Sequence, residues 1–125
     1  MKICVTAEGK DFNASIDPRF GRCKYFIFVD TESLQLEVID NPNLDSTGGA
    51  GIQSGQLMVA KGVKAVLTGN IGPNAHQVLS AAGIEVLTGV SGVVKEAIEN
   101  YKLGKYKPAT SPSVGSKFGM PGKNN

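Results

Sequence analysis

The residues able to do chemistry in this chain gather in three short stretches. Arg19-Phe20-Gly21-Arg22-Cys23 sets two guanidinium groups and a thiol in one turn. Thr47-Gly48-Gly49-Ala50-Gly51-Ile52-Gln53-Ser54-Gly55 holds four glycines in nine residues. Gly72-Pro73-Asn74-Ala75-His76 carries the single histidine. A cysteine in a basic turn is placed where thiolate is favoured. Two arginines three apart can clamp an anion, or they can pair with Asp17 and Asp11 beside them. A glycine-rich turn before a helix aims backbone N–H groups at a ligand, or it simply makes a tight crossover. His76, near a helix start, reads as a surface or capping residue or as a metal ligand.

Several chemistries lack their parts. There is no G-x-x-x-x-G-K-[ST], so no P-loop for a nucleotide. One histidine without a nucleophile motif makes no hydrolytic triad. Two-metal nuclease chemistry needs converging carboxylates, one of them in the first strand, and Lys2–Thr6 has none. Cys4 and Cys23 form neither a C-x-x-C pair nor a zinc pattern and read as reduced thiols. The net charge of +2 is uneven: residues 1–101 carry 8 basic and 11 acidic side chains. Residues 102–125 carry Lys102, Lys105, Lys107, Lys117 and Lys123 and no acid. A mildly acidic folded part argues against specific nucleic-acid binding, which needs clustered cations on a folded face.

The elements that position these stretches follow from hydrophobic period and punctuation. Lys2–Thr6 reads as a strand buried on both faces. Glu8–Arg19 is a loop. Tyr25–Asp30 is an aromatic, β-branched strand, joined by a short turn to a second strand, Leu34–Asp40, in an antiparallel hairpin. Ile52–Lys61 is a helix closed by Gly62. Two strand–helix units follow: Ala65–Gly69 with a helix at Pro73–Ala82, then Ile84–Gly89 with a helix capped by Ser91 and running to Tyr101. The word Val-Leu-Thr-Gly recurs at 66–69 and 86–89. Strands alternating with helices imply parallel pairing with right-handed crossovers. The expected fold is a ribonuclease H-like three-layer α/β domain, a mixed five-stranded sheet with three helices. At 125 residues one domain is expected. Its bounds are 1–104, and the Pro-, Gly- and Lys-containing stretch 105–125 is expected to be a flexible basic tail. With no signal peptide and no apolar run of membrane-spanning length, the expected location is the cytoplasm, away from membranes.

Asp17-Pro18-Arg19-Phe20-Gly21-Arg22-Cys23-Lys24-Tyr25-Phe26 resembles the early signature of the dinitrogenase iron–molybdenum cofactor biosynthesis family. Gly48-Gly49-Ala50-Gly51-Ile52 resembles its glycine-rich loop. Gly72-Pro73-Asn74-Ala75 with Leu79 and Gly83-Ile84 resembles its penultimate helix. The resemblance spans roughly residues 1–104 and implies a ribonuclease H-like fold and a non-catalytic carrier. The cargo it implies is an iron–sulfur or iron–molybdenum-type cluster or its precursor. The family also has many small stand-alone members. The cofactor-binding residues it points to are Arg19, Arg22, Cys23, Gly48, Gly49, Gly51, Asn74 and His76, with Cys23 and His76 as metal ligands. Several cofactor-binding members have a histidine in or beside the glycine-rich loop, where this chain has Ser46-Thr47-Gly48. One Cys and one His hold a cluster weakly, so a homodimer or partner proteins of cluster assembly would supply further ligands. The other reading of the same loops is a module for a small anionic ligand or a protein partner.

Overall fold

The computed structural model describes residues 1–44 and 49–113. Its strands are β1 (Lys2–Ala7), β2 (Tyr25–Asp30), β3 (Leu36–Asp40), β4 (Ala65–Leu67) and β5 (Glu85–Leu87). Its helices are α1 (Ala50–Lys61), α2 (Pro73–Ala81) and α3 (Val94–Lys102). The sheet order is β3-β2-β1-β4-β5. β1, β2 and β3 pair antiparallel, and β4 and β5 add in parallel on the other side of β1. This is the ribonuclease H-like three-layer arrangement expected from the sequence.

Period-two alternation divides the core into two clusters. Ile3, Val5, Ala7, Ile27, Val29, Ala65 and Leu67 lie in one, packed with Val94, Ala97 and Ile98 of α3. Cys4, Phe26, Phe28, Val66 and Val86 lie in the other, with Met58 of α1 and Ala75 and Leu79 of α2. The β1 strand is central, so it is buried along nearly its whole length on both faces.

Three sequence expectations are corrected. The strand β3 starts at Leu36, because Leu34 has turned to a positive φ of 61° in the hairpin loop. The cap of α3 is Val93 rather than Ser91, and its side chain makes no capping bond. Loop carbonyls replace that cap: Val94 N–H donates to Ala14 O and Lys95 N–H to Phe12 O, both at 2.9 Å. Residues 105–113, expected within a flexible tail, lie along the β5 edge. Ala109 N–H donates to Val86 O at 2.7 Å, Pro108 bridges to Leu87, and Tyr106 packs against the α3-side core. The physical reason is an unpaired sheet edge that needs donors, which a stretch poor in apolar residues can still supply from its backbone. Residues 114–125, including Lys117 and Lys123, and Gly48 of the glycine-rich loop lie outside the described residues.

Candidate functional site

The three chemical stretches meet at the C-terminal ends of the parallel strands β1 and β4. This is where open α/β sheets gather ligands. The contacts are close, and at one of them a side chain has no room. A Cβ on Gly21 would lie 3.4 Å from the Gly51 Cα, and one on Gly51 would lie 3.4 Å from both Cβ and N of Ala75. A Cβ on Gly69 would fall 2.7 Å from Pro18 Cα, a distance real side chains do not reach. The glycines Gly21, Gly51 and Gly69 therefore let three loops share one corner. Gly55 plays the same part between α1 and α2, with Val78 Cγ1 2.9 Å from where its Cβ would be.

Buried polar groups fix the Asp17–Lys24 turn over this corner. Asp17 is 2% exposed. Its Oδ1 accepts the Arg19 N–H at 3.1 Å, and its Oδ2 accepts the Lys24 N–H at 3.2 Å. Asn41 reaches across from the end of β3, and its Nδ2 donates to Gly21 O at 3.0 Å and Cys23 O at 2.8 Å. Below them the Thr6 hydroxyl donates to Asp17 O at 2.7 Å and shares a 2.8 Å hydrogen bond with the Thr68 hydroxyl. Phe20 N–H donates to Asn70 O and Asn70 N–H to Pro18 O, tying this turn to the 69–76 loop. Thr6, Asn41 and Thr68 were not singled out from the sequence. Their partners lie far along the chain, which no local motif announces; the Val-Leu-Thr-Gly word at 66–69 is the only trace of Thr68.

Cys23 is fully buried against Phe20 and Phe26, in the same core cluster as Cys4. Burial first, and then the neighbouring Asp17 carboxylate, push its thiol far above the usual range. Backbone hydrogen bonds and Arg19 oppose this only in part. Burial likewise holds Cys4 well up. The basic turn expected to favour a thiolate instead encloses a neutral thiol, because desolvation outweighs an arginine whose side chain is 41% exposed. Arg19 Nε lies 3.6 Å from Asp17 Oδ1, the carboxylate pairing left open by the sequence. Arg22 is half-buried and interacts with its surroundings.

His76 points away from Cys23's turn and toward the C-terminal stretch. Its Nε2 is 3.2 Å from Ala109 O, and its Nδ1 is 3.4 Å from Ser80 Oγ. Among the described residues no group of three or more His, Cys, Asp or Glu side chains is placed to hold a metal ion. The structure does not bring the expected ligand pair together among the described residues: Cys23 lies in the core and His76 beside Ala109 O. Asn74 is exposed in the first turn of α2.

The helix ends at this corner differ from the third. Gly49 caps α1 at φ 74°, a backbone state that favours glycine. Gly72 caps α2, with Pro73 in its first turn. Neither cap makes a side-chain hydrogen bond, and neither first turn contains an acid. No carbonyl from another loop accepts from the first turns of α1 and α2 among the described residues, whereas α3 has two such carbonyls and Glu96. Ser54, one turn into α1, is fully buried with an Oγ that has no hydrogen-bond partner among the described residues. Among the described residues, two adjacent helix N-termini without a side-chain cap make a corner suited to negative charge.

Fold and corner together define a small α/β domain whose glycine-rich loops gather at the strand ends. The chain belongs to the dinitrogenase iron–molybdenum cofactor family, whose model matches residues 1–104. It is 33% identical over 108 residues to an uncharacterised protein of Methanocaldococcus jannaschii, covering 84% of this chain and 88% of that one. The apo form of the orange protein from Desulfovibrio gigas superposes with a TM-score of 0.87 at 37% identity, covering 90% of this chain and 96% of that one. A NifB-type protein from Thermotoga gives 0.78 at 35% identity, over 90% of this chain and 97% of that one. No helix among the described residues is long and apolar enough to cross a membrane.

Proposed function

We propose that the protein is a carrier for an anionic metallocluster of the iron–sulfur or iron–molybdenum type, bound without covalent ligation. The observation that carries this reading is the pair of uncapped, acid-free helix N-termini brought together at Gly51 and Ala75. Membership of the iron–molybdenum cofactor family supports a metal-bearing cargo. A sulfide-bearing cluster is itself an anion, and backbone N–H groups with a helix dipole bind anions without a protein thiolate. Arg19, partly exposed at the rim, adds charge. The donor set fits this mode and does not fit direct ligation. A neutral buried thiol and an imidazole with both nitrogens engaged are poor ligands. They are equally poor as nucleophile and base, which supports carriage rather than catalysis.

The test is anaerobic reconstitution with ferrous iron, molybdate and sulfide, followed by desalting, metal and sulfide analysis and an absorption spectrum. Wild-type protein is expected to retain cluster, and Cys23→Ser is expected to retain it too. Gly49→Asp and Gly49→Asn meet no atom within 4 Å at their Cβ but share the strain of φ 74°, and only Asp places a carboxylate at the α1 terminus, so Asp is expected to lose at least tenfold more retention than Asn. Retention indifferent to Gly49→Asp but abolished by Cys23→Ser and His76→Ala would overturn non-covalent binding in favour of direct ligation.

A further inference from the structure

We propose that residues 105–113 are a strap that holds the 71–76 turn in its ligand-binding position, with His76 and Ser113 as its two fastenings. The inference rests on the anion-site reading above and adds a control on how long the cargo stays bound. Ser113 grips Ile71 on both sides. Its Oγ accepts the Ile71 N–H at 2.9 Å, and its own N–H donates to Ile71 O at 3.0 Å. His76 Nε2 meets Ala109 O at 3.2 Å, one turn into α2. Between these points the strap is tied to the sheet by Ala109 N–H to Val86 O. Ile71 and His76 bracket Gly72 and Pro73, the start of α2. The strap thus fastens the outer side of the very turn whose N–H groups face the site.

The strap is made for release. Of residues 105–113 only Tyr106 and Ala109 are even half-buried, and the rest are exposed. Segments with few buried side chains open at a small fraction of the global unfolding free energy. His76, whose position beside the glycine-rich corner suggested a metal ligand, instead acts through the strap as a positioning residue. Fastening the strap pre-organises the α2 terminus and lowers the ordering cost of binding. Coupling of this kind is reciprocal, so bound cargo must also hold the strap down by the same factor.

The experiment uses full-length protein reconstituted with iron, molybdate and sulfide, and two strap variants, Ser113→Ala and Ala109→Pro. The first removes the Oγ acceptor for Ile71 and the second the N–H donated to Val86. Cargo loss after dilution into a chelator is followed by absorption. Amide hydrogen exchange at Ala109 and Ser113 is measured with and without cargo. Expected are a 3- to 30-fold faster loss from both variants, by roughly 0.7–2 kcal/mol of coupling, with unchanged melting temperature. Slower exchange of the wild-type strap amides on loading, by a matching factor, is expected as well. Loss at the wild-type rate, slower loss, or strap exchange indifferent to cargo would each overturn the strap. Wild-type protein that retains no cargo overturns the site reading and the strap with it, an outcome visible before any variant is compared.

Discussion

The 69–76 loop is flanked by two chain segments that the fold fastens in different ways. On its inner side, the 17–23 turn is held by buried groups: Asp17, Asn41 and the Thr6–Thr68 pair. Gly69 presses against Pro18 with no space for a methyl group. On its outer side, residues 105–113, most of them exposed, are held by a few part-buried hydrogen bonds and two partly buried side chains. A buried hydrogen bond is costly to break because the abandoned partner stays dry, whereas an exposed one exchanges for water at little cost. The site therefore has one wall that is part of the core and one that is only laid against it. The carrier function proposed above would use both properties, the first to keep the corner in shape and the second to give cargo a way out.

The largest effect should come from breaking the inner wall at its tightest contact. Gly69→Ala drives a Cβ to 2.7 Å from Pro18 Cα, and backbone on both sides must shift. A loss of about 3 kcal/mol or more is expected in denaturant unfolding, toward the upper end of overpacking costs. A loss below about 1 kcal/mol would mean that the 17–23 turn gives way easily, and the contrast between the walls would fail. Next comes Asn41→Ala, which strands the Gly21 and Cys23 carbonyls. About 2–3 kcal/mol is expected from leaving buried acceptors unpaired, with unfolding midpoints as the measure. Recovery of most of that loss by Asn41→Asp would sink this account, because a carboxylate has no N–H to donate.

The fold was readable because its signals are periodic and local. The strand alternation of Tyr25–Asp30, the Pro73 start and the Gly62 and Gly83 stops all act within a few residues. The site was readable only in outline. The sequence pointed to the loops, and the family resemblance set them in order, but the roles of single residues depend on contacts far along the chain. Cys23 lies in a basic turn by sequence and in a dry core by packing, and burial together with Asp17 in space decides its chemistry. His76 and Ala109 are 33 residues apart and Ile71 and Ser113 are 42 apart. A strap joined by single hydrogen bonds leaves no hydrophobic pattern to find, so composition alone marked it as tail.

A third effect, smaller than the two substitutions, is the pH response of the inner wall. Folding raises the thiols of Cys4 and Cys23, both through burial. In the unfolded chain they ionise near pH 8.5, while in the folded chain they stay protonated. The folded state then binds more protons than the unfolded one above that pH, and stability falls as pH rises. Below about pH 8 the thiols cost little; between about pH 8 and pH 9 they should together remove roughly 1–2 kcal/mol. Cys23→Ala should halve that slope. Neither thiol should react with a bulky disulfide reagent at pH 8 faster than the protein unfolds globally. A Cys23 modified on the timescale of local opening would show that the inner wall opens as the strap does.

The smallest expected effect is also the most discriminating. Ser113→Ala deletes part-buried hydrogen bonds to Ile71, but Ser113 itself is exposed and water can take its place, so global stability should change by less than about 0.5 kcal/mol, as for most surface substitutions. Local opening should nevertheless increase. The Ile71 and Ala109 amides should exchange several-fold faster, while those of Phe20 and Asn70, held by the inner wall, should keep their wild-type rates. Uniform acceleration at all four amides would mean that the two walls open as one cooperative unit. The comparison would then be between tight and loose parts of a single body, and cargo release would require unfastening the buried wall as well. Acceleration confined to the strap side locates the low-stability element at the C-terminal stretch and leaves the 17–23 turn as the fixed reference against which it moves.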